Sequence, residues 1–126
     1  MQGIPARICG YCKKDIMKFM TWVVVFLDEQ VKASLDVLPE DIRVSFDRIL
    51  ELIRTKGLER VREPYVKHLD GPLWEMRLKG RDGIARACYV TAVGKRVVVV
   101  HVFVKKTEKT PRHEIMMAMK RAKEVG

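Results

Sequence analysis

The chain has 126 residues, 48% of them hydrophobic and 33% charged. That suits one domain with a modest core and excludes a multidomain enzyme or a duplicated cofactor fold. Lys and Arg number 25 against 16 Asp and Glu, a net charge of +9, so the partner to look for is polyanionic: nucleic acid, an acidic protein or an anionic surface.

The charge is concentrated. Residues 1–53 carry 7 basic and 8 acidic residues, whereas residues 54–126 carry 18 basic and 8 acidic. A solubility device would be dispersed; concentration points to a binding face.

Residues 1–19 have no hydrophobic period and read as an extension ahead of a domain spanning 20–126, with Met20 as an alternative start. They hold Cys9 and Cys12; the third cysteine is Cys88. An odd count with one close pair makes no disulfide framework, and Cys9-x-x-Cys12 has no second ligand pair at knuckle spacing, so no metal or other cofactor is expected. The apolar stretch Phe19–Leu27 is too short to cross a bilayer and runs straight into Asp28-Glu29 without a cleavage site. The expectation is a cytoplasmic protein with no membrane contact.

Thr21–Leu27 is β-branched and aromatic and predicts a strand. Asp28 caps a short helix bearing Val31, Leu35 and Leu38. Pro39 opens a second helix with the stripe Ile42, Phe46, Ile49, Leu50 and Ile53, ended by Gly57. Leu73–Lys79 alternates, with Trp74, Met76 and Leu78 on one face and Leu73, Glu75 and Arg77 on the other. Asp82-Gly83 turns the chain into Ile84–Thr91, where Arg86, Cys88 and Val90 oppose Ala85, Ala87 and Tyr89. After Gly94-Lys95 comes the most apolar strand, Val97–Val104, with Val98, Val100, Val102 and Val104 on one face and His101 and Phe103 on the other. Thr110 caps a last helix that has Pro111 at its first position and Ile115, Ala118, Met119 and Ala122 as its stripe. The fold class is α+β: an antiparallel four-stranded sheet with two N-terminal helices and a C-terminal helix, in the order β-α-α-β-β-β-α.

No Ser-His-Asp pattern, Gly-rich phosphate loop or carboxylate pair is present; Glu75 is the one carboxylate within these strands. The chemistry lies in the cations. Arg77 and Arg86 sit on strands joined by one hairpin, His101 projects from the next, Lys105, Lys106 and Lys109 follow at its end, and Arg112 and His113 open the last helix. Converging on one concavity, they would suit a phosphodiester, because guanidinium groups clamp phosphate oxygens and a cationic field stabilises a pentacoordinate transition state. Each also has a structural reading. Arg77 pairs with Glu75, His101 is a satisfied histidine at a strand end, and residues 105–109 are a solvated loop.

Two stretches, Leu73-Trp74-Glu75-Met76-Arg77 and His101-Val102-Phe103-Val104-Lys105-Lys106-Thr107-Glu108-Lys109-Thr110-Pro111, resemble the signatures of the phage-derived HigB-like toxins of the RelE/ParE superfamily, which belong to type II toxin–antitoxin systems. The likeness runs from about Met20 to Val125. It implies a RelE-like fold and a metal-independent mRNA endonuclease (an mRNA interferase) that acts on translating ribosomes, inhibits translation and growth, and is neutralised by a cognate antitoxin, often a helix-turn-helix protein of the HigA type. By position Arg77, Arg86 and Lys105-Lys106 match the cleavage-site cations of related toxins, while His101 and Lys109 belong to the matched string without a role fixed by it; taken with the residue reading, the catalytic candidates are Arg77, Arg86, His101, Lys105 and Lys106, and the RNA-binding ones Lys109, Arg112 and Tyr89. The strand that usually reads aromatic-Arg-x-x-Tyr departs here: Ala85 precedes Arg86, which bears on base selectivity more than on cleavage. Two rival readings are a ParE-type toxin, which inhibits DNA gyrase and is no nuclease, and a basic RNA-binding module without catalysis.

Overall fold

The computed structural model describes residues 22–81, 83–105 and 109–125. The expectations placed on residues 1–19, Thr21, Asp82 and Lys106 lie outside the described residues. The elements in chain order are β1 (Val23–Phe26), α1 (Glu29–Asp36), α2 (Glu40–Lys56), a 3-10 turn (Leu58–Arg60), β2 (Val66–Asp70), β3 (Leu73–Lys79), β4 (Ile84–Ala92), β5 (Arg96–Lys105) and α3 (Arg112–Ala122).

The α+β class holds, but the sheet is mixed and has five strands in the order β1-β5-β4-β3-β2, not four antiparallel ones. Two things account for the difference. Val66–Asp70 pairs with β3 across a tight turn at Gly71, adding an edge strand too polar to stand out as one. The α1–α2 connection and the meander that follows bring β5 alongside β1 in the same direction, Val24 opposite Val97 and Phe26 opposite Val99. Hairpin pairing announces itself through local turn residues; parallel pairing leaves no such mark.

The helices form where their caps and stripes place them. The Asp28 carboxylate accepts from the Val31 N–H at 2.9 Å, satisfying a donor the first turn of α1 leaves open. In α2, Ile42, Phe46, Ile49 and Ile53 are buried at i, i+4, i+7 and i+11. Gly57 ends that helix at φ 88°, a left-handed conformation that glycine adopts without strain. Pro39 sits one residue earlier than expected, at the cap. Together α1 and α2 cover one face of the sheet, packing on Met76, Leu78, Ala85, Ala87, Val97 and Val99. Truncating Ile49 or Ile53 to Ala in such a core costs about 2–5 kcal/mol.

On the other face α3 packs Ile115, Ala118, Met119 and Ala122 against Leu73, Val90, Val98 and Val100, as its stripe predicts. The alternation of β3 and β4 holds along both strands. That of β5 does not. Cys88 lies opposite His101 and Tyr89 opposite Val99, leaving Val100 as the extra residue of a β-bulge. The bulge breaks the expected grouping of Val98, Val100, Val102 and Val104. Val98, Val100 and Phe103 face α3, while Val97, Val99 and Val102 face α1 and α2. No described helix is long and apolar enough to cross a membrane.

Candidate functional site

Strand pairing assembles the polar cluster. Within the β3–β4 hairpin, Arg77 lies opposite Arg86 and Glu75 opposite Cys88. Across β4–β5, Arg86 lies opposite Phe103, Cys88 opposite His101 and Ile84 opposite Lys105. Alternation puts Glu75, Arg77, Arg86, His101, Phe103 and Lys105 on the α3 side. The apolar stripe of α3 covers the far half of that side, and the cations occupy the half near its N-terminus.

Beneath this surface lies a buried ion pair. Arg86 Nε is 3.3 Å from Glu75 Oε2, with both side chains 2% exposed. The contact is electrostatic, without hydrogen-bond alignment at Nε. Arg86 also donates from Nη1 to the Ala85 carbonyl at 3.2 Å. The other Glu75 oxygen, Oε1, accepts from the Thr110 hydroxyl at 2.7 Å. Thr110 therefore does not cap α3 as expected. Its side chain turns to the sheet, the cap position falls to Pro111 without a side-chain bond, and the helix starts at Arg112. A buried pair of this kind is costly to break from one side, about 3–5 kcal/mol.

His101 has both ring nitrogens engaged. Nε2 is 2.6 Å from Glu114 Oε1, and Nδ1 is 3.2 Å from Arg121 Nη1. A guanidinium only donates, so Nδ1 accepts, and Nε2 carries the hydrogen that goes to Glu114. Arg121 Nη1 also donates to the Val100 carbonyl at 3.2 Å, holding the bulge. The imidazole stacks on Phe103 with centroids 5.2 Å apart. This is the satisfied strand-end histidine of the structural reading, and it ties α3 to β5.

The remaining candidates divide by exposure. Arg77 is half-buried, and its Nε makes no hydrogen bond among the described residues. Lys105 is buried, whereas Lys109 and Arg112 are exposed and line a recess of about 470 Å³ at the start of α3, together with Thr110, Pro111 and Ile115. Lys106 lies outside the described residues. Tyr89 is not brought to this cluster. It is 2% exposed on the α1–α2 side, where burial pushes its hydroxyl pKa up. There it lines a separate groove of about 820 Å³ with Trp22, His68 and Trp74. The Cys88 thiol is also pushed up, by burial first and then by the charges of Glu75 and Glu114, so it is no ready nucleophile.

Arg77, Arg86, His101 and Lys105 thus share one face, with Lys109 and Arg112 at its rim. Sequence reasoning missed Glu114 and Arg121, and it gave Glu75 to Arg77 instead of Arg86 and Thr110 to a helix cap; these four hold that face together. For Glu75 a signal existed, since it is the one carboxylate inside the strands recognised from sequence. Among the described residues no group of three His, Cys, Asp or Glu side chains comes close enough to hold a metal ion.

Residues 33–123, from within α1 to just past the end of α3, match the family model described as phage derived protein Gp49-like (DUF891). The chain belongs to this Gp49-like family. The match covers every element of the polar cluster and agrees with the phage-derived character expected from the two motifs. Among solved structures the Gp49-like chain is similar to a chain of the archaeal RelE–RelB complex from Pyrococcus horikoshii OT3. The two are 22% identical, with 68% of this chain and 96% of that chain covered and a TM-score of 0.49. No curated protein matches the sequence.

Proposed function

We propose that this Gp49-like protein is the toxin of a type II toxin–antitoxin pair and acts as an endonuclease on mRNA in translating ribosomes. The observation that carries the reading is the bond from Thr110 to Glu75, which fastens the exposed Lys109 and Arg112 region to the strand that bears the half-buried Arg77. Family membership and the H-x-F-x-K-K-x-x-K-T-P string support it.

In this reading Arg77 donates to a non-bridging oxygen of the scissile phosphate. The 2′-hydroxyl of the preceding ribose attacks that phosphorus and gives its proton to solvent, the bond to the 5′-oxygen breaks as that oxygen takes a proton from the Lys106 ammonium, and a 2′,3′-cyclic phosphate is left. Lys105, buried at the end of β5, stabilises through its field the charge that builds on the phosphoryl oxygens, and Lys106 shares that task by its place in the motif. Lys109 and Arg112 hold flanking phosphates. Arg86, paired with Glu75 beneath the surface, and His101, locked between Glu114 and Arg121, are positioning residues rather than groups that touch RNA. The ribosome orients the substrate, and positioning of that kind supplies several kcal/mol. The partner is an antitoxin of the helix-turn-helix, HigA-like type, drawn by the +9 charge.

Induced expression followed by mapping of mRNA 5′ ends tests the proposal. Cuts confined to translated reading frames, lost in Arg77→Ala, are the expected result. Growth arrest without new 5′ ends would replace it with inhibition by binding, as in a gyrase-directed toxin.

A further inference from the structure

Tyr65 lies just ahead of β2, and its carbonyl accepts from the Arg77 N–H at 2.8 Å. That bond extends the β2–β3 ladder one residue beyond the pair Val66 and Met76. Val66 and Met76 both point into the core under α1 and α2, so alternation turns Arg77 to the α3 side, and Tyr65 adjoins it from the turn ahead of β2, its own N–H donating to the Arg62 carbonyl at 2.9 Å. Directly opposed residues of a ladder sit about 4.5–5.5 Å apart at Cβ, within reach of a shared ligand. Tyr65 is 41% exposed. Two residues along, exposed Lys67 pairs with Glu75 on the edge strand, where it also borders the groove of the opposite side. Lys79 is exposed on the face of Arg77, two residues beyond it. The exposed carboxylate of β2, Asp70, lies at the far end of the strand, roughly 16 Å along it at ~3.3 Å per residue.

The other aromatic rings near the cluster are not placed to receive a base there. Tyr89 and Trp74 line the groove on the opposite side of the sheet, and Phe103 is buried against His101. Tyr65 is the exposed ring whose backbone pairs with that of Arg77.

We propose that Tyr65 and Lys67 form a nucleotide subsite next to Arg77. Tyr65 stacks on an unpaired base of single-stranded RNA, and Lys67 meets the adjoining phosphate. The subsite rests on the endonuclease reading and deepens it. Stacking on an aromatic ring tolerates every base and adds affinity and register, with base preference as a lesser effect.

The test compares wild type, Tyr65→Leu, Tyr65→Phe and Tyr65→Trp, expressed at matched levels, with mRNA 5′ ends mapped and counted. Leu keeps an apolar side chain on the edge strand, and thermal unfolding of each purified variant verifies the fold. Tyr65→Leu is expected to lower cutting about tenfold, the scale of losing one base stack, and to flatten the nucleotide preference at one fixed position beside the cut. Tyr65→Phe and Tyr65→Trp keep the ring and should retain both. Wild-type cutting that Tyr65→Leu leaves unchanged overturns the subsite alone. So does Tyr65→Phe as impaired as Tyr65→Leu, which would assign the effect to the hydroxyl. Failure of the wild type to cut translated messages overturns the endonuclease reading, and the subsite with it.

Discussion

The Thr110 hydroxyl donates to Glu75 Oε1 at 2.7 Å, joining residues 35 positions apart. The bond fastens the segment between β5 and α3 to the middle of β3. Since Glu75 also faces Arg86, one carboxylate fixes both a guanidinium beneath the site and the cationic segment beside it.

Thr110→Val keeps the shape and removes the donor. Oε1 of Glu75, 1% exposed as a residue, then has no hydroxyl to receive, and the expected loss is about 1–3 kcal/mol of stability. Urea unfolding should show a lower midpoint at unchanged slope. Thr110→Ser restores the donor and should recover most of the loss.

Removing either member of the buried pair leaves the other charge unpaired. Glu75→Ala and Arg86→Ala should each cost about 3–5 kcal/mol, whereas Glu75→Met combined with Arg86→Met should cost far less than their sum. A double-mutant cycle by urea unfolding checks this. Additive losses would mean that Glu75 and Arg86 do not act as a pair.

Arg77 behaves differently, because its side chain is half-buried and its Nε holds no hydrogen bond among the described residues. Arg77→Ala should therefore unfold within about 1 kcal/mol of wild type, as substitutions away from core and buried pairs do. Growth inhibition should be lost nonetheless. Colony counts under induction, set beside the unfolding curve of the same variant, separate the two effects.

Stability should fall at alkaline pH. Cys88 and Tyr89 are both held up from ordinary values of 9.0 and 10.0, chiefly by burial. Above those values the unfolded chain loses these protons first and so binds fewer than the native state, which makes the slope of unfolding free energy against pH negative. Their contribution is complete below pH 9 and shrinks as pH rises past 9 for the thiol and 10 for the phenol. Urea midpoints measured from pH 8 to 11 should decline, and the decline should be shallower in Cys88→Ala. At neutral pH native Cys88 should resist iodoacetamide until the protein is unfolded.

Much of the fold was legible in the residues, because local chemistry dictates it. Asp28 and Gly57 bound the helices, the stripe of α2 repeats at helical spacing, and β3 and β4 alternate cleanly. The parallel pairing of β1 with β5 was not legible, since neither strand carries any mark of its distant neighbour. Nor was the bulge at Val100, which hides in a run of valines where a change of phase alters no hydrophobic pattern. At the site, residue types singled out Arg77, Arg86, His101 and Lys105, which the strand pairing brings to one face. Their roles stayed hidden because those depend on partners far away in the chain: Glu75 for Arg86, Glu114 and Arg121 for His101. Tyr89 shows the opposite error, a plausible base-stacker whose place in the alternation sends it to the other side of the sheet.

The extra residue at Val100 gives the two ends of β5 opposite phase. Before it, valine parity answers to the packing of α3; after it, the parity of His101, Phe103 and Lys105 answers to the cluster. A length change of one residue ahead of the bulge would disturb the core and could be absorbed there by sliding the irregularity. The same change behind it would turn Phe103 and Lys105 through the sheet, exchanging a basic surface for an apolar one at a stroke. The strand is thus two modules spliced at one peptide, and the second has room to vary while the first stays put.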